Sequence, residues 1–178
     1  KGELDPVVGR EMEIEQALDD LAKRQGNCPA LVGPSGVGKN SVLRGLAQRI
    51  ARAEDVHSLD DRIVIEIPVS ELIGGTGVRG ALALRLGALR KEAAAVGGRV
   101  VLFFDDFHQL LAGEAVEEVS GELKLALSKG ELACIVATSP EEYKKCVDGE
   151  APLARRFSVV VIGEPSREDA YFVVEALA

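Results

Sequence analysis

The chain has 178 residues, of which 47% are hydrophobic, and a formal net charge of −8 at pH 7. This size suits one packed domain and is too small for two. The acidic balance and the absence of a Lys/Arg cluster argue against a nucleic-acid-binding surface, because neutralising phosphates requires clustered cations. No apolar run reaches the ~18 residues that a membrane span requires, and no signal peptide is visible, so we expect neither a nucleic-acid nor a membrane partner.

Helical and strand patterns alternate along the chain. Apolar residues recur at helical spacing from Met12 to Ala22, and a short strand at Pro29–Val32 leads into a Gly-rich segment before a helix that begins near Lys39. The remaining predicted elements are a strand at 63–67, a Gly-rich stretch at 74–80, a helix to about 95, a strand at 100–104, a helix at 116–127, a strand at 132–137, a short helix at 141–146, a strand at 157–162 and a helix after Pro165. Strands that are apolar on both faces and separated by helices predict an α/β three-layer sandwich with a mainly parallel, five-stranded sheet.

The three cysteines, Cys28, Cys134 and Cys146, form no CxxC pair, and one is left over in any disulfide scheme. They are expected to be thiols of a cytoplasmic protein. The chain begins at Lys1 and ends inside a helix-like apolar run. We therefore expect residues 1–178 to be one domain of a longer protein.

The segment from Gly33 to Lys39 has the spacing G-x-x-x-x-G-K and lies between a predicted strand and a predicted helix. Glycines let backbone N–H groups turn towards a phosphate, the helix N-terminus adds positive potential, and the lysine adds a point charge. The residues expected to line this phosphate loop are Pro34, Ser35, Gly36, Val37, Gly38, Lys39, Asn40 and Ser41. The pattern predicts a nucleoside-triphosphate site.

Two carboxylates, Asp105 and Asp106, directly follow the most apolar strand, Val100–Phe104. Open α/β sheets bind ligands at the carboxyl ends of their strands, and P-loop NTPases hold Mg²⁺ with an acid at such a position. Asp105 is therefore a candidate metal contact. Asp106 is a candidate general base for the attacking water.

Six motifs follow one another along the chain: Leu4–Glu11, Gly33–Lys39, Val101–His108, Glu141–Lys144, Leu153–Phe157 and Gly163–Ser166. In this order they resemble the Clp family of AAA+ ATPases, specifically the large subdomain of the first nucleotide-binding domain. The resemblance implies an ATP- and Mg²⁺-dependent ring, a hexamer in the full-length protein, that acts on a protein substrate or adaptor. It also implies a helical lid beyond Ala178.

The resemblance also implies roles for single residues. Val7, Val8 and Gly9 would wrap the adenine, with Asp5 and Arg10 fixing the shape of that loop. Ser139 would be the sensor near the γ-phosphate, with Thr138 as the weaker candidate. Arg155 and Arg156 would be arginine fingers that reach the neighbouring subunit's site.

The sequence departs from the family pattern at four places. Asn40 stands where the family has a Mg²⁺-ligating hydroxyl; its amide oxygen can bind a hard cation, but with different geometry. Asp106 replaces a Glu, which withdraws the carboxylate by about 1.5 Å. The segment Gly77–Leu84 lacks the aromatic residue that grips substrate in the pore, and Phe107 replaces a smaller residue.

These departures leave two hypotheses. The first is a Clp-like remodelling module that hydrolyses ATP slowly, because a misplacement of about 1 Å can cost roughly 10²-fold in rate. The alternative is a degenerate nucleotide-binding module that supports ring assembly or regulation without turnover. A small P-loop kinase or GTPase is poorly supported, because no NKxD-type base-specifying motif is present.

Overall fold

The computed structural model describes residues 7–23, 27–52, 59, 61–74, 80–112, 116–128 and 132–176. Asp5 and most of the Gly-rich stretch at 74–80 lie outside these ranges. The predicted roles of Asp5 and of the residues from Gly77 to Arg79 therefore stay sequence-based predictions.

The described part of the chain alternates strands with helices, as the sequence predicts. In chain order the elements are α1 (Glu11–Ala22), β1 (Cys28–Val32), α2 (Lys39–Arg52), β2 (Ile63–Ile67), α3 (Val69–Ile73), α4 (Ala81–Ala95), β3 (Val100–Phe104), a 3₁₀ turn (Phe107–Leu111), α5 (Val116–Ser128), β4 (Ala133–Thr138), α6 (Pro140–Tyr143) continued by a π turn (Lys144–Asp148), α7 (Ala151–Ala154), β5 (Phe157–Val161) and α8 (Arg167–Ala176). The short helices α3 and α7 and the 3₁₀ turn had no counterpart among the predicted elements.

The five strands form one parallel sheet in the order β2-β3-β4-β1-β5. Because all strands run the same way, their carboxyl ends meet at one edge. At that edge β4 lies between β1, which leads into the phosphate loop, and β3, which leads into Asp105. The topology thus places three strand ends side by side.

Alternate residues of the central strands enter two separate cores, because successive side chains point to opposite faces of a sheet. On β3, Val101 and Phe103 pack with α1 and α2, whereas Leu102 and Phe104 pack with α4 and α5. The predicted three-layer α/β sandwich is confirmed.

The two edge strands differ from the prediction that every strand is covered on both faces. Ile63 of β2 is 56% exposed, and Val161 of β5 is 70% exposed. Their apolar composition resembles that of the central strands, so the sequence pattern does not distinguish edge from centre.

Cys28 and Cys134 are buried free thiols on the neighbouring strands β1 and β4, and Cys146 is a half-buried free thiol. The hydrogen bond that the Cys134 thiol makes with Cys28, together with burial, raises the pKa of Cys134 well above its ordinary value. Because the thiolate is the reactive form, this thiol is a poor nucleophile. Within the described ranges no helix is long and apolar enough to cross a bilayer.

Candidate nucleotide-binding site

The phosphate loop connects β1 to α2, as predicted. Gly36 and Gly38 adopt φ angles of 76° and 101°, in the left-handed region that favours glycine. Gly33 is required for a different reason, since a Cβ there would lie 2.4 Å from the carbonyl oxygen of Ile162. Gly36 and Gly38 thus permit the turn of the loop, and Gly33 permits the close approach of Ile162, the residue after β5.

Lys39, the first residue of α2, is held by the loop itself. Its Nζ donates to the carbonyl oxygens of Gly33 and Pro34, both at 3.0 Å. These are neutral acceptors, so the ammonium charge is not cancelled by a carboxylate there. A phosphate oxygen would be a stronger partner, because a charge-assisted bond exceeds a bond to a neutral carbonyl.

The Arg10 side chain hydrogen-bonds to the phosphate loop, and the residue is only 7% exposed. One guanidinium nitrogen, Nη2, donates to Val37 O at 2.7 Å, while Nη1 donates to Gly163 O at 3.0 Å and to Glu13 Oε1 at 2.9 Å. One side chain therefore joins the phosphate loop, the segment after β5 and helix α1. None of these three acceptors belongs to residues 7–9, so the predicted role of Arg10 in fixing the shape of the adenine loop stays a prediction.

The two acids after β3 occupy different positions. Asp105 is half-buried, whereas Asp106 is exposed. Asp106 has φ 48° and ψ 42°, and it is the one non-glycine residue with a positive φ among the residues that the structure describes. Aspartate tolerates this left-handed conformation better than most residues, so the backbone turns sharply at the predicted water-activating acid.

The predicted magnesium contacts, Asn40 and Asp105, hydrogen-bond to each other. Asn40 Nδ2 donates to Asp105 Oδ2 at 3.2 Å, and the Asp106 N–H donates to Asp105 Oδ1 at 2.9 Å. Mg²⁺ needs oxygen ligands, but the Asn40 atom that faces Asp105 is a nitrogen. In this arrangement the pair does not present two oxygens to a cation, so these side chains do not fit a Mg²⁺ ion as they stand.

A cavity of about 330 Å³ brings the loop and the acids together. It is lined by Ser35, Gly36, Gly38, Lys39, Asn40, Ser41, Asp105 and Asp106. Of the predicted loop residues, Pro34 and Val37 do not line it; the Val37 side chain is buried in the core beside α1 and α2. Residues from two distant parts of the sequence thus converge on one polar cavity.

The two candidate sensors at the end of β4 have different partners. The Ser139 hydroxyl caps α6 by accepting the Glu142 N–H at 3.3 Å. Thr138 is 1% exposed, and its Oγ1 lies 3.3 Å from Nδ1 of His108, two residues after Asp106. The structure therefore connects Thr138, the weaker sequence candidate, more directly to the acidic strand end.

Arg155 and Arg156 do not join the cavity. They precede β5, and the Arg156 carbonyl accepts the N–H of Cys28 at the first residue of β1. This is the amino-terminal edge of the sheet, separated from the phosphate loop by a five-residue strand of about 16 Å. Arg155 is exposed and Arg156 half-buried. The structure places both away from this chain's own phosphate loop.

The predicted adenine residues do not line the cavity of the phosphate loop. Val7 packs into the core with α1 and α2, and Val8 is half-buried. Gly9 has φ 73°, and a Cβ there would meet the Asp169 side chain at 2.9 Å. Gly9 lines a separate cleft of about 810 Å³ between α1 and the start of α8, which includes Pro165 and Ser166. The adenine role of all three residues stays a prediction.

Sequence reasoning missed the contacts of His108 and Ile162. His108 lies in the Val101–His108 motif but had no predicted chemical role, and Ile162 lies in none of the six motifs. Each acquires its contact from the pairing of strands, β3 with β4 for His108 and β1 with β5 for Ile162. These pairings could not be read from the spacing of apolar residues alone.

A family model described as "Novel STAND NTPase 1" matches residues 5–177. The chain is 40% identical over 180 residues to a protein named chaperone protein ClpB 2 of Nostoc sp., covering 99% of this chain and 21% of that protein. Two solved structures from S. cerevisiae share its fold, an Hsp104–ADP complex and an Hsp104–casein complex in an extended conformation. The first has a TM-score of 0.89 and 34% identity over 99% of this chain and 30% of that one. The second has a TM-score of 0.86 and 33% identity over 98% of this chain and 30% of that one. The chain thus spans about a fifth of the length of the curated relative.

Proposed function

Because the chain belongs to the Novel STAND NTPase 1 family and to the Clp-type AAA+ ATPases, we propose that it is the ATP-binding module of a protein-remodelling ring that hydrolyses ATP slowly. One observation carries the proposal: the phosphate loop and the two carboxylates that follow β3 line a single cavity. The Hsp104–ADP complex, which has the same fold, supports an adenine nucleotide as the ligand.

Binding of the phosphates is the role of the loop and Lys39. In the structure Lys39 holds two carbonyl oxygens of its own loop. We expect the β- and γ-phosphates to take their place. The Arg10 contact with Val37 O keeps the loop in shape while Lys39 changes partners, so the cavity is preformed. The half-exposed loop-forming residues Val7, Val8 and Gly9 are the proposed adenine contacts.

Activation of the attacking water is the role proposed for Asp106. Its carboxylate lies on the cavity wall, and a general base must reach the water directly or through one further water. The shorter side chain, compared with the family's Glu, is the reason to expect slow turnover. Thr138 or Ser139 would hold the γ-phosphate end, and comparison of the single Ala variants would assign the sensor.

Completion of the site is the role proposed for a neighbouring subunit. Arg155 and Arg156 lie at the opposite edge of the sheet from their own phosphate loop. An arginine supplied from outside stabilises charge that develops on the transferring phosphoryl group. A ring, a hexamer by the family resemblance, would place these arginines in the adjacent site. A protein substrate is proposed from the Hsp104–casein complex.

Turnover of ATP by the assembled protein is the test. We expect slow hydrolysis that the Arg155→Ala, Arg156→Ala double substitution abolishes and that Asp106→Glu accelerates. The second candidate, a module that binds nucleotide without turnover, is favoured by Asn40 and Asp106 together. It predicts ATP binding with no measurable hydrolysis in any of these proteins. A protein that binds no ATP at millimolar concentration would contradict both.

A further inference from the structure

The Asn40 amide differs from a Ser or Thr hydroxyl in the way it can hydrogen-bond to Asp105. Asp105 already accepts a hydrogen bond on each oxygen, from Asn40 Nδ2 at 3.2 Å and from the Asp106 N–H at 2.9 Å. A carboxylate only accepts, so the amide must present its NH₂ group to it. The orientation of the Asn40 amide is therefore fixed by the acid that faces it.

A hydroxyl carries its donor and its acceptors on one oxygen, whereas an amide carries them on different atoms. A Ser or Thr at position 40 could donate to Asp105 and, with a lone pair of the same oxygen, bind a cation. Asn40 cannot do both. To offer its oxygen to a metal it must turn over, lose the bond to Asp105 and bring its oxygen against a carboxylate oxygen. While Asn40 and Asp105 are hydrogen-bonded to each other, the two residues therefore do not both offer an oxygen to a cation.

The positive groups of the cavity do not depend on a metal. Among the residues that the structure describes, Lys39 hydrogen-bonds only to the two loop carbonyl oxygens, and the α2 N-terminus adds positive potential beside it. The Asn40 NH₂ group keeps a second hydrogen after it has donated one to Asp105. A β-phosphate therefore meets Lys39, loop N–H groups and an amide donor, while Asp105 is already hydrogen-bonded.

We propose that this site binds nucleoside diphosphates with little dependence on a divalent cation, because Asn40 takes the place of the metal beside Asp105. The inference rests on the proposed function of the site as a nucleotide-binding one. The diphosphate isolates the effect, because it lacks the γ-phosphate that would otherwise face Asp105 and Asp106. Nucleotide would accordingly stay bound when Mg²⁺ is withdrawn.

The dissociation constant of ADP, measured calorimetrically in excess Mg²⁺ and in EDTA, tests the proposal. We expect the two values for the native protein to differ by less than about 3-fold. Asn40→Thr, which returns the hydroxyl, should show a difference of about 10-fold or more, the scale on which partners of metal ligands change affinity. Equal factors in the two proteins, or a larger factor in the native protein, would overturn the proposal.

One control variant and the results for the native protein separate this proposal from the function on which it rests. Lys39→Ala should weaken ADP binding in both buffers; binding that ignores this substitution does not occur at the phosphate loop. A native protein that binds neither ADP nor ATP in either buffer contradicts the proposed function itself. Strong, metal-dependent ADP binding by the native protein contradicts only the inference.

A direct readout of the metal does not depend on the folding of one variant. Mn²⁺ can replace Mg²⁺ and is detected by electron paramagnetic resonance, so its affinity for the ADP complex can be titrated. We expect Mn²⁺ to bind the native complex about 10-fold or more weakly than the Asn40→Thr complex. Asn40→Ser provides the same hydroxyl on a smaller side chain and should behave like Asn40→Thr. Equal Mn²⁺ affinities in all three proteins would refute the role of Asn40.

Discussion

Substitution of Arg10 by Ala should destabilise the domain and weaken nucleotide binding together. The buried guanidinium donates to Val37 O, Gly163 O and Glu13 Oε1 at 2.7–3.0 Å. Hydrogen bonds to charged groups contribute about 1.5–3 kcal/mol each, and the substitution leaves two backbone carbonyls without this donor. Gly163 is exposed, so water can replace the donor to its carbonyl, whereas the bond to Val37 O is buried. We therefore expect a loss of about 3–4 kcal/mol in the free energy of unfolding. That is a large share of the ~5–15 kcal/mol typical of a domain.

Urea denaturation followed by circular dichroism measures this loss, and Arg49→Ala is the matched control. Arg49 pairs with Glu15 at 3.7 Å, and the Glu15 side chain is 66% exposed. A pair so open to solvent is worth under about 1 kcal/mol. If Arg10→Ala costs no more than Arg49→Ala, the guanidinium does not support the loop. If Arg10→Ala is unstable but binds ATP as tightly as the native protein, the link between loop shape and binding is refuted.

Three further predictions follow from single contacts. Gly33→Ala should lower the free energy of unfolding, measured by urea denaturation, by at least about 2 kcal/mol, because the new Cβ would lie 2.4 Å from Ile162 O. In the control Gly163→Ala the new Cβ meets nothing within 4 Å, so the loss should be under about 0.5 kcal/mol. Equal losses in the two variants would refute the clash. Asp106→Asn should keep the stability within about 0.5 kcal/mol, since Asn tolerates the left-handed backbone, yet lower turnover by about 10²-fold or more; unchanged turnover would remove Asp106 from the mechanism. Burial raises the pKa of Tyr143 to about 12 from 10.0. Its contribution to the free energy of unfolding is therefore complete below pH 10 and is lost as the pH rises towards 12, by up to about 2 kcal/mol. If the free energy of unfolding of Tyr143→Phe falls equally over this pH range, the assignment to Tyr143 is refuted.

The sequence predicts those parts of the fold that depend on local pattern. The bounds of β2 and β3 agree with the predicted strands because each is a short apolar run between clear breaks. The phosphate loop was predictable because binding a phosphate requires glycines and a lysine at this spacing. The resemblance to the Clp-type AAA+ ATPases is confirmed by the ClpB relative and the Hsp104 structures.

Other features depend on contacts between distant residues and were not predictable. The edge position of β2 follows from the strand order, not from its composition, so the exposure of Ile63 could not be foreseen. The short helices α3 and α7 each span five residues or fewer, too few for a helical period to show. The sequence identified Asn40 as unusual, but only the structure shows that its nitrogen faces Asp105.

Equilibrium binding of ATP to the native protein and to Lys39→Ala tests whether the phosphate loop binds nucleotide through Lys39. Isothermal titration calorimetry in excess Mg²⁺ should show one ATP bound per chain. Lys39 is the only lysine among the described residues that line the cavity, so its removal should weaken binding by about 10-fold or more, equivalent to about 1.4 kcal/mol. ATP binding should therefore depend on Lys39. Absence of ATP binding at millimolar nucleotide, or equal affinity in the two proteins, would contradict it.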